Sequence, residues 1–154
     1  MSALRISMNS SLTFAIAKSK EDFIAAFPLI QILNPKLCEA DYWLYVRDMQ
    51  SFGNYSLYLA YAKEQLVGIT GCWIATKFYC GKYLEIDNFI VAPNAQRQGY
   101  GSDLLEFVDQ LAQEAHCDTI MLDAYLENEG AHLFYKQHGY KASGYHFLKE
   151  LRNT

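Results

Sequence analysis

Hydrophobic positions along this chain change their spacing several times, and each change marks an element. Leu84, Ile86, Phe89, Ile90 and Val91 form an apolar-rich run that predicts a strand largely buried on both faces. Pro93 and Asn94 stop it, because proline supplies no ladder donor and fixes its own φ. A polar loop, Asn94-Ala95-Gln96-Arg97-Gln98, leads to Gly99-Tyr100-Gly101. After Ser102 and Asp103, apolar residues return at helical spacing as Leu104, Leu105, Val108, Leu111, Ala112 and Ala115.

Leu12 to Ala17 predicts a first strand. Ser19 followed by Asp22 imitates a capping box, and Phe23, Ala26, Phe27 and Ile30 continue a helix in which Pro28 predicts a kink or break. A second helix covers about Cys38 to Phe52 and ends at Gly53; its aromatics Tyr42, Trp43 and Tyr45 suit a core more than a pocket. Tyr55–Lys63 and Leu66–Thr76 predict a hairpin, with Gly68 and Gly71 marking a bulge or close packing. Phe78 to Lys82 is read as the loop into the central strand. Thr119 to Ala124 reads as a buried strand, Glu129 to His138 as a helix closed by Gly139, and Tyr140 to Leu151 as extended chain. Strand–helix alternation in the second half predicts parallel pairing; the first half reads as antiparallel.

Composition narrows the function. The 154 residues suit one domain, here taken as 1–154 with 1–10 a loose tail, and 51% apolar against 19% charged residues marks a globular chain. A formal charge of −4 gives no nucleic-acid footprint. No apolar run reaches membrane-span length, so no membrane is expected. Cys38, Cys72, Cys80 and Cys117 form no CxxC pair, and the four histidines are scattered. We therefore expect a reduced, cytoplasmic protein without a metal site.

Strand, glycine-bearing loop and helix start together make an anion site. First-turn amides lack partners within the helix, the dipole adds partial positive charge, and glycine removes the Cβ from a ligand's path. A P-loop would need lysine before Ser102, and a dinucleotide fingerprint would need glycine in place of Leu104. What remains, Gln96-Arg97-Gln98-Gly99-Tyr100-Gly101 after Val91-Ala92-Pro93, resembles the GCN5-related N-acetyltransferase (GNAT) family signature. Asn128-x-x-Ala131-x-x-Phe134-Tyr135-x-x-x-Gly139-Tyr140 resembles a second family segment. Ala131-His132-Leu133-Phe134-Tyr135 and Tyr145-His146-Phe147 are similar to a bacterial subgroup. The likeness runs from about Leu66 to Leu151. The twelve residues Tyr140 to Leu151 leave little room for the family's closing hairpin, which often shapes substrate binding or a dimer interface. A homodimer is among the expectations.

The resemblance implies an α+β (α/β) fold, a mixed central sheet flanked by helices, and acetyl-CoA as co-substrate without metal. It implies direct acetyl transfer to a primary amine of a small molecule or a protein. Amides of Gln98, Gly99, Tyr100, Gly101 and Ser102 would hold the pyrophosphate, with Gln96 and Arg97 beside them. The main chain at Phe89 and Val91 would pair with the pantetheine arm, and an N–H there would face the thioester oxygen. Asn128 would bond that arm or cap its helix. Tyr135 is implied as general acid to the thiolate, and Glu85 or Asp87 as base, with His132 as an alternative relay. Glu85 and Asp87 alternate on the strand, so a regular strand would place them on one face with Phe89 and Val91. The rival readings are a non-catalytic acyl-CoA sensor on the same fold and a nucleotide-binding regulatory domain, the latter disfavoured by the missing lysine and third glycine.

Overall fold

The computed structural model describes residues 11–152, so the expected tail over 1–10 lies outside the described residues. Its elements are β1 (Leu12–Ile16), α1 (Lys20–Leu33), α2 (Glu39–Ser51), β2 (Tyr55–Ala62), β3 (Gln65–Lys77), β4 (Gly81–Val91), a 3-10 turn (Pro93–Ala95), α3 (Tyr100–Glu114), β5 (Thr119–Leu122) and α4 (Glu129–Gln137). The described residues divide into two compact units, one ending at Met121 and one beginning at Leu122.

The larger unit is built on a sheet in the order β1-β2-β3-β4-β5. β1 through β4 pair antiparallel. The start of β5 is tied to the start of β4: Asp118 N–H donates to the Lys82 carbonyl at 2.7 Å, and Lys82 N–H to the Asp118 carboxylate at 2.9 Å. Neighbouring strands that set out from the same end run parallel, as the intervening α3 crossover requires. The sheet is mixed, as the alternation of elements predicts.

Its two faces bury different helices. Phe14 stacks on Phe107 of α3 at 4.0 Å, Tyr58 meets the same ring edge-on at 5.2 Å, and Leu104 lies against Gly68. The opposite face carries Leu57, Leu59 and Ile69, all buried and left to α1 and α2. α2 is fastened to α1 by the Tyr42 hydroxyl, which donates to the Phe23 carbonyl at 2.7 Å. Tyr42 is therefore core, as expected. Trp43 is only half-buried, beside a groove with Lys18, Lys20 and Arg47, and Tyr45 is half exposed.

The expected capping box is present. Asp22 N–H donates to Ser19 Oγ at 3.1 Å, and Ser19 N–H to the Asp22 carboxylate at 2.9 Å. A break at Pro28 is not: α1 runs through it. Pro28 and Ile24, whose carbonyl loses its donor, both sit on the exposed side, where that carbonyl is open to solvent.

β4 is irregular at the point that matters most. Cys72 pairs with Ile86, Gly71 with Asp87 and Ile69 with Ile90, so Thr70 stands against both Asn88 and Phe89. This is a β-bulge, and Asn88 occupies it with φ 54°. Asparagine tolerates that left-handed conformation better than a branched residue. The extra residue shifts the side-chain alternation. Glu85 and Asp87 lie on the face of Trp73, Gly71 and Ile90, while Val91 falls on the other with Ile86 and Gly68. The expectation of one face shared with Phe89 and Val91 is thus corrected: a regular strand was assumed, and the bulge flips its parity.

Burial raises the Tyr42 hydroxyl and the Cys72 thiol to about 12, and pushes Tyr55 and Tyr58 upward as well. The folded chain therefore keeps protons that the unfolded chain releases above about pH 9, where free thiols and then phenols ionise. Stability is fully present below that value and falls as pH rises toward about 12. Urea midpoints should drop clearly between about pH 7 and about pH 10.5; equal midpoints would contradict this account of the core.

The smaller unit, from Leu122 on, contains α4; among the described residues after it, 140–152, there is no helix or strand, so the extended segment expected there is not a strand. β5 ends at Leu122, shorter than the expected run to Ala124. α4 closes with Gly139 at φ 89°; Gly139 N–H donates to the Lys136 carbonyl and Tyr140 N–H to that of Tyr135. That pair of bonds is a Schellman motif, the role expected of Gly139.

Candidate active site

The glycine loop sits where the sequence places it, between β4 and α3. Gly99 is the N-cap of α3 with φ 80°, and a Cβ built there meets nothing within 4 Å. Only glycine holds this conformation without strain while leaving the approach open. α1, α2 and α4 each have a side chain on their first-turn amides, from Ser19, Cys38 and Asn128. No side-chain cap bond is made at α3. Its first-turn N–H groups present donors to anything bound at the loop. Arg97, exposed and at φ 65°, adds a cation, and Gln96 Nε2 donates to the Val91 carbonyl at 3.3 Å, fastening the loop to the end of β4. These residues suit a diphosphate group.

The two carboxylates occupy the opposite side of the bulge from Val91. Both are half-buried. Asp87 Oδ2 accepts from Trp73 Nε1 at 3.2 Å and its Oδ1 from Asn88 Nδ2 at 2.9 Å. Tyr55 packs alongside, its ring 4.8 Å from that of Trp73, with Phe52 beyond at 6.1 Å. Burial raises the Tyr55 hydroxyl above its ordinary range, and the negative charge of Asp87 adds to the shift. A Cβ on Gly71 would come within 2.7 Å of both the Asp87 carbonyl and the Tyr55 hydroxyl, so glycine is what lets the three converge.

In the smaller unit, Asn128 caps α4, its Oδ1 accepting from Ala131 N–H at 3.1 Å. The structural half of its expected role is met. Tyr135 is half-buried, edge-on to Phe134 at 5.2 Å and to Tyr140 at 5.5 Å. Burial raises its hydroxyl to about 12, so the proton stays on at neutral pH. His132 Nε2 lies 2.8 Å from the Tyr125 carbonyl. A carbonyl only accepts, so this nitrogen carries the hydrogen and braces the turn before α4. Asp123 and His146 form an exposed pair at 3.0 Å in the same unit.

Sequence reasoning missed Trp73, Tyr55 and Asn88, and also Asn34 at the end of α1, whose Nδ2 donates to Asn88 Oδ1 at 2.7 Å. A signal was available at one of them. Asparagine is depleted in strands and common where φ is positive, so Asp87-Asn88 inside an otherwise apolar run already marks an interruption. The other three are recognised only through pairing across strands and between the end of α1 and β4.

Residues 21–140 match the Acetyltransferase (GNAT) family, well over half of the chain. The chain belongs to that family, and the α+β fold with its mixed sheet is the one the resemblance implies. A curated relative, aminoalkylphosphonate N-acetyltransferase of Salmonella typhimurium, is 29% identical over 94 residues; the match takes in 60% of this chain and 61% of that protein. A transcriptional regulator from Bacillus halodurans superposes with TM-score 0.80 at 22% identity, covering 91% of this chain and 99% of the other. AAC(6')-Iy in complex with the bisubstrate analogue CoA-S-monomethyl-acetylneamine superposes with TM-score 0.78 at 14% identity, covering 94% and 100%. At these identities the superpositions speak for the fold alone.

Proposed function

We propose that this chain is an acetyl-CoA-dependent N-acetyltransferase that passes the acetyl group directly to a primary amine of a small molecule. The carrying observation is the start of α3: a left-handed Gly99, open space beside it and first-turn amides without a side-chain cap bond. Family membership supports the coenzyme, and the bisubstrate analogue bound to AAC(6')-Iy supports a coenzyme A site on this fold. The name of the Salmonella relative supports a small amine as acceptor.

Bound acetyl-CoA supplies an acetyl thioester. Amides of Gln98 to Ser102 hold its pyrophosphate, with Arg97 at the rim and Gln96 fixing the loop. Backbone groups at Phe89 and Val91 pair with the pantetheine arm, and an N–H there polarises the thioester carbonyl. Asn128 bonds the same arm. A strand carboxylate, Glu85 or Asp87, removes the proton from the amine, since only neutral amine attacks. Tyr135 provides a hydrogen bond to the leaving sulfur. Four unpaired cysteines support a reducing, cytoplasmic location. No helix among the described residues is long and apolar enough to cross a membrane.

The regulator from Bacillus halodurans keeps a second reading in view, a sensor that binds acyl-CoA without turnover. Incubation with acetyl-CoA and a panel of primary amines, aminoalkylphosphonates first, separates the two. The expected result is thiol release matched mole for mole by acetylated amine. Tight coenzyme binding with no amine-dependent thiol release across the panel would favour the sensor.

A further inference from the structure

Around Asp87 the side chains form a directed series of hydrogen bonds. Asn34 is the C-cap of α1, and its Nδ2 donates to the Ile30 carbonyl at 2.9 Å. The same nitrogen lies 2.7 Å from Asn88 Oδ1. Asn88 Nδ2 donates in turn to Asp87 Oδ1, and Trp73 Nε1 donates to Asp87 Oδ2. The sense of every bond is settled by chemistry. A main-chain carbonyl accepts at one end, an ionised carboxylate accepts at the other, and indole N–H only donates. Asn34 must therefore turn its nitrogen toward Asn88, Asn88 must receive through its oxygen, and its nitrogen must face Asp87. Each Asp87 oxygen is held by one donor, which fixes the plane of the carboxylate.

The bulge explains how Asn88 reaches both partners. A regular strand would send the side chain of residue 88 to the face opposite Asp87. With φ at 54°, Asn88 lies next to Asp87 in sequence and its amide still bonds that carboxylate. The bulge thus links the end of α1 to a carboxylate on the central strand.

We propose that Trp73, Asn88 and Asn34 are positioning residues that orient Asp87, and that Asp87 is the carboxylate receiving the proton of the acceptor amine. This rests on the acetyltransferase reading and chooses between its two carboxylates. Charge-assisted bonds of this kind hold an acceptor in one orientation while leaving a lone pair on each oxygen for substrate. Trp73, through its contacts with Phe52 and Tyr55, adds an aromatic wall on the same face.

A double-mutant cycle on kcat tests this, because a residue that acts only through Asp87 has nothing to act on once Asp87 is replaced. Asn88→Gly keeps the positive φ without strain and removes only the amide; Trp73→Phe keeps a ring and removes the donor. Each should lower kcat by about tenfold with the KM for acetyl-CoA unchanged, and Asp87→Asn by about a hundredfold. In the Asp87→Asn background, neither Asn88→Gly nor Trp73→Phe should lower kcat by more than about twofold. Losses that multiply in the double variants, or wild-type kcat in both single variants, would overturn the positioning role while leaving Asp87 as base. Wild-type turnover by Asp87→Asn would overturn the choice of Asp87 and the positioning role with it. Acetyl transfer by the wild type, measured alongside, tests the underlying reading separately.

Discussion

Tyr135→Phe is expected to lower kcat by roughly 10² to 10³, with the affinity for acetyl-CoA unchanged, the lower part of the range for a positioned proton donor. The reason for the lower part is physical. Burial raises the Tyr135 hydroxyl to about 12, well above a thiol at about 8.5. Complete proton transfer from so weak an acid to a thiolate is uphill, whereas a hydrogen bond to the developing charge remains favourable. The same shift keeps Tyr135 protonated throughout the neutral range, so its loss should appear as a uniform drop in rate and not as a displaced pH limb. Rates of wild type and variant on one amine, measured from about pH 6 to about pH 9, check both statements. Full turnover by Tyr135→Phe would remove this residue from the mechanism.

Gly99→Val is expected to weaken acetyl-CoA binding by more than tenfold, over ~1.4 kcal/mol. The space beside Gly99 is open, so a Cβ there meets no atom of the surrounding protein within 4 Å and stands where a phosphate would approach the amides. The left-handed φ of 80° adds backbone strain for a branched residue, which turns the amides away from their present direction. Both effects act at the first turn of α3 and neither touches the buried side of α3 formed by Leu104, Leu105, Phe107 and Val108. Calorimetric titration of the variant at a temperature where it remains fully folded reads the binding term alone, and unchanged affinity there would contradict the cradle.

The legible parts of this molecule are those in which local chemistry decides the outcome. Ser19 with Asp22, Gly99 before Leu104, and Gly139 after α4 each carry a conformational demand in two or three residues, and each is met. The strands were legible from apolar density, yet the path of β4 was not. Whether Asp87 faces the side of Val91 depends on one added residue against Thr70, and the hydrophobic pattern alone does not count residues on the partner strand. Pro28 misled for a related reason. Its cost depends on whether the freed carbonyl is wet, which is a property of the helix face and not of the residue. The environment of Asp87 was legible least, because Trp73, Asn34 and Tyr55 come from three different elements. Sequence could nominate Asp87; only the fold supplies the donors around it.

The central claim is that the first turn of α3 is the diphosphate cradle of an acetyltransferase. It is tested most directly by a crystal structure of the acetyl-CoA complex. The account predicts pyrophosphate oxygens within hydrogen-bonding distance, about 2.7–3.2 Å, of amides between Gln98 and Ser102. It also predicts the thioester beside β4. Coenzyme density lying elsewhere on the protein, with the amides at Gly99 facing solvent, would contradict it.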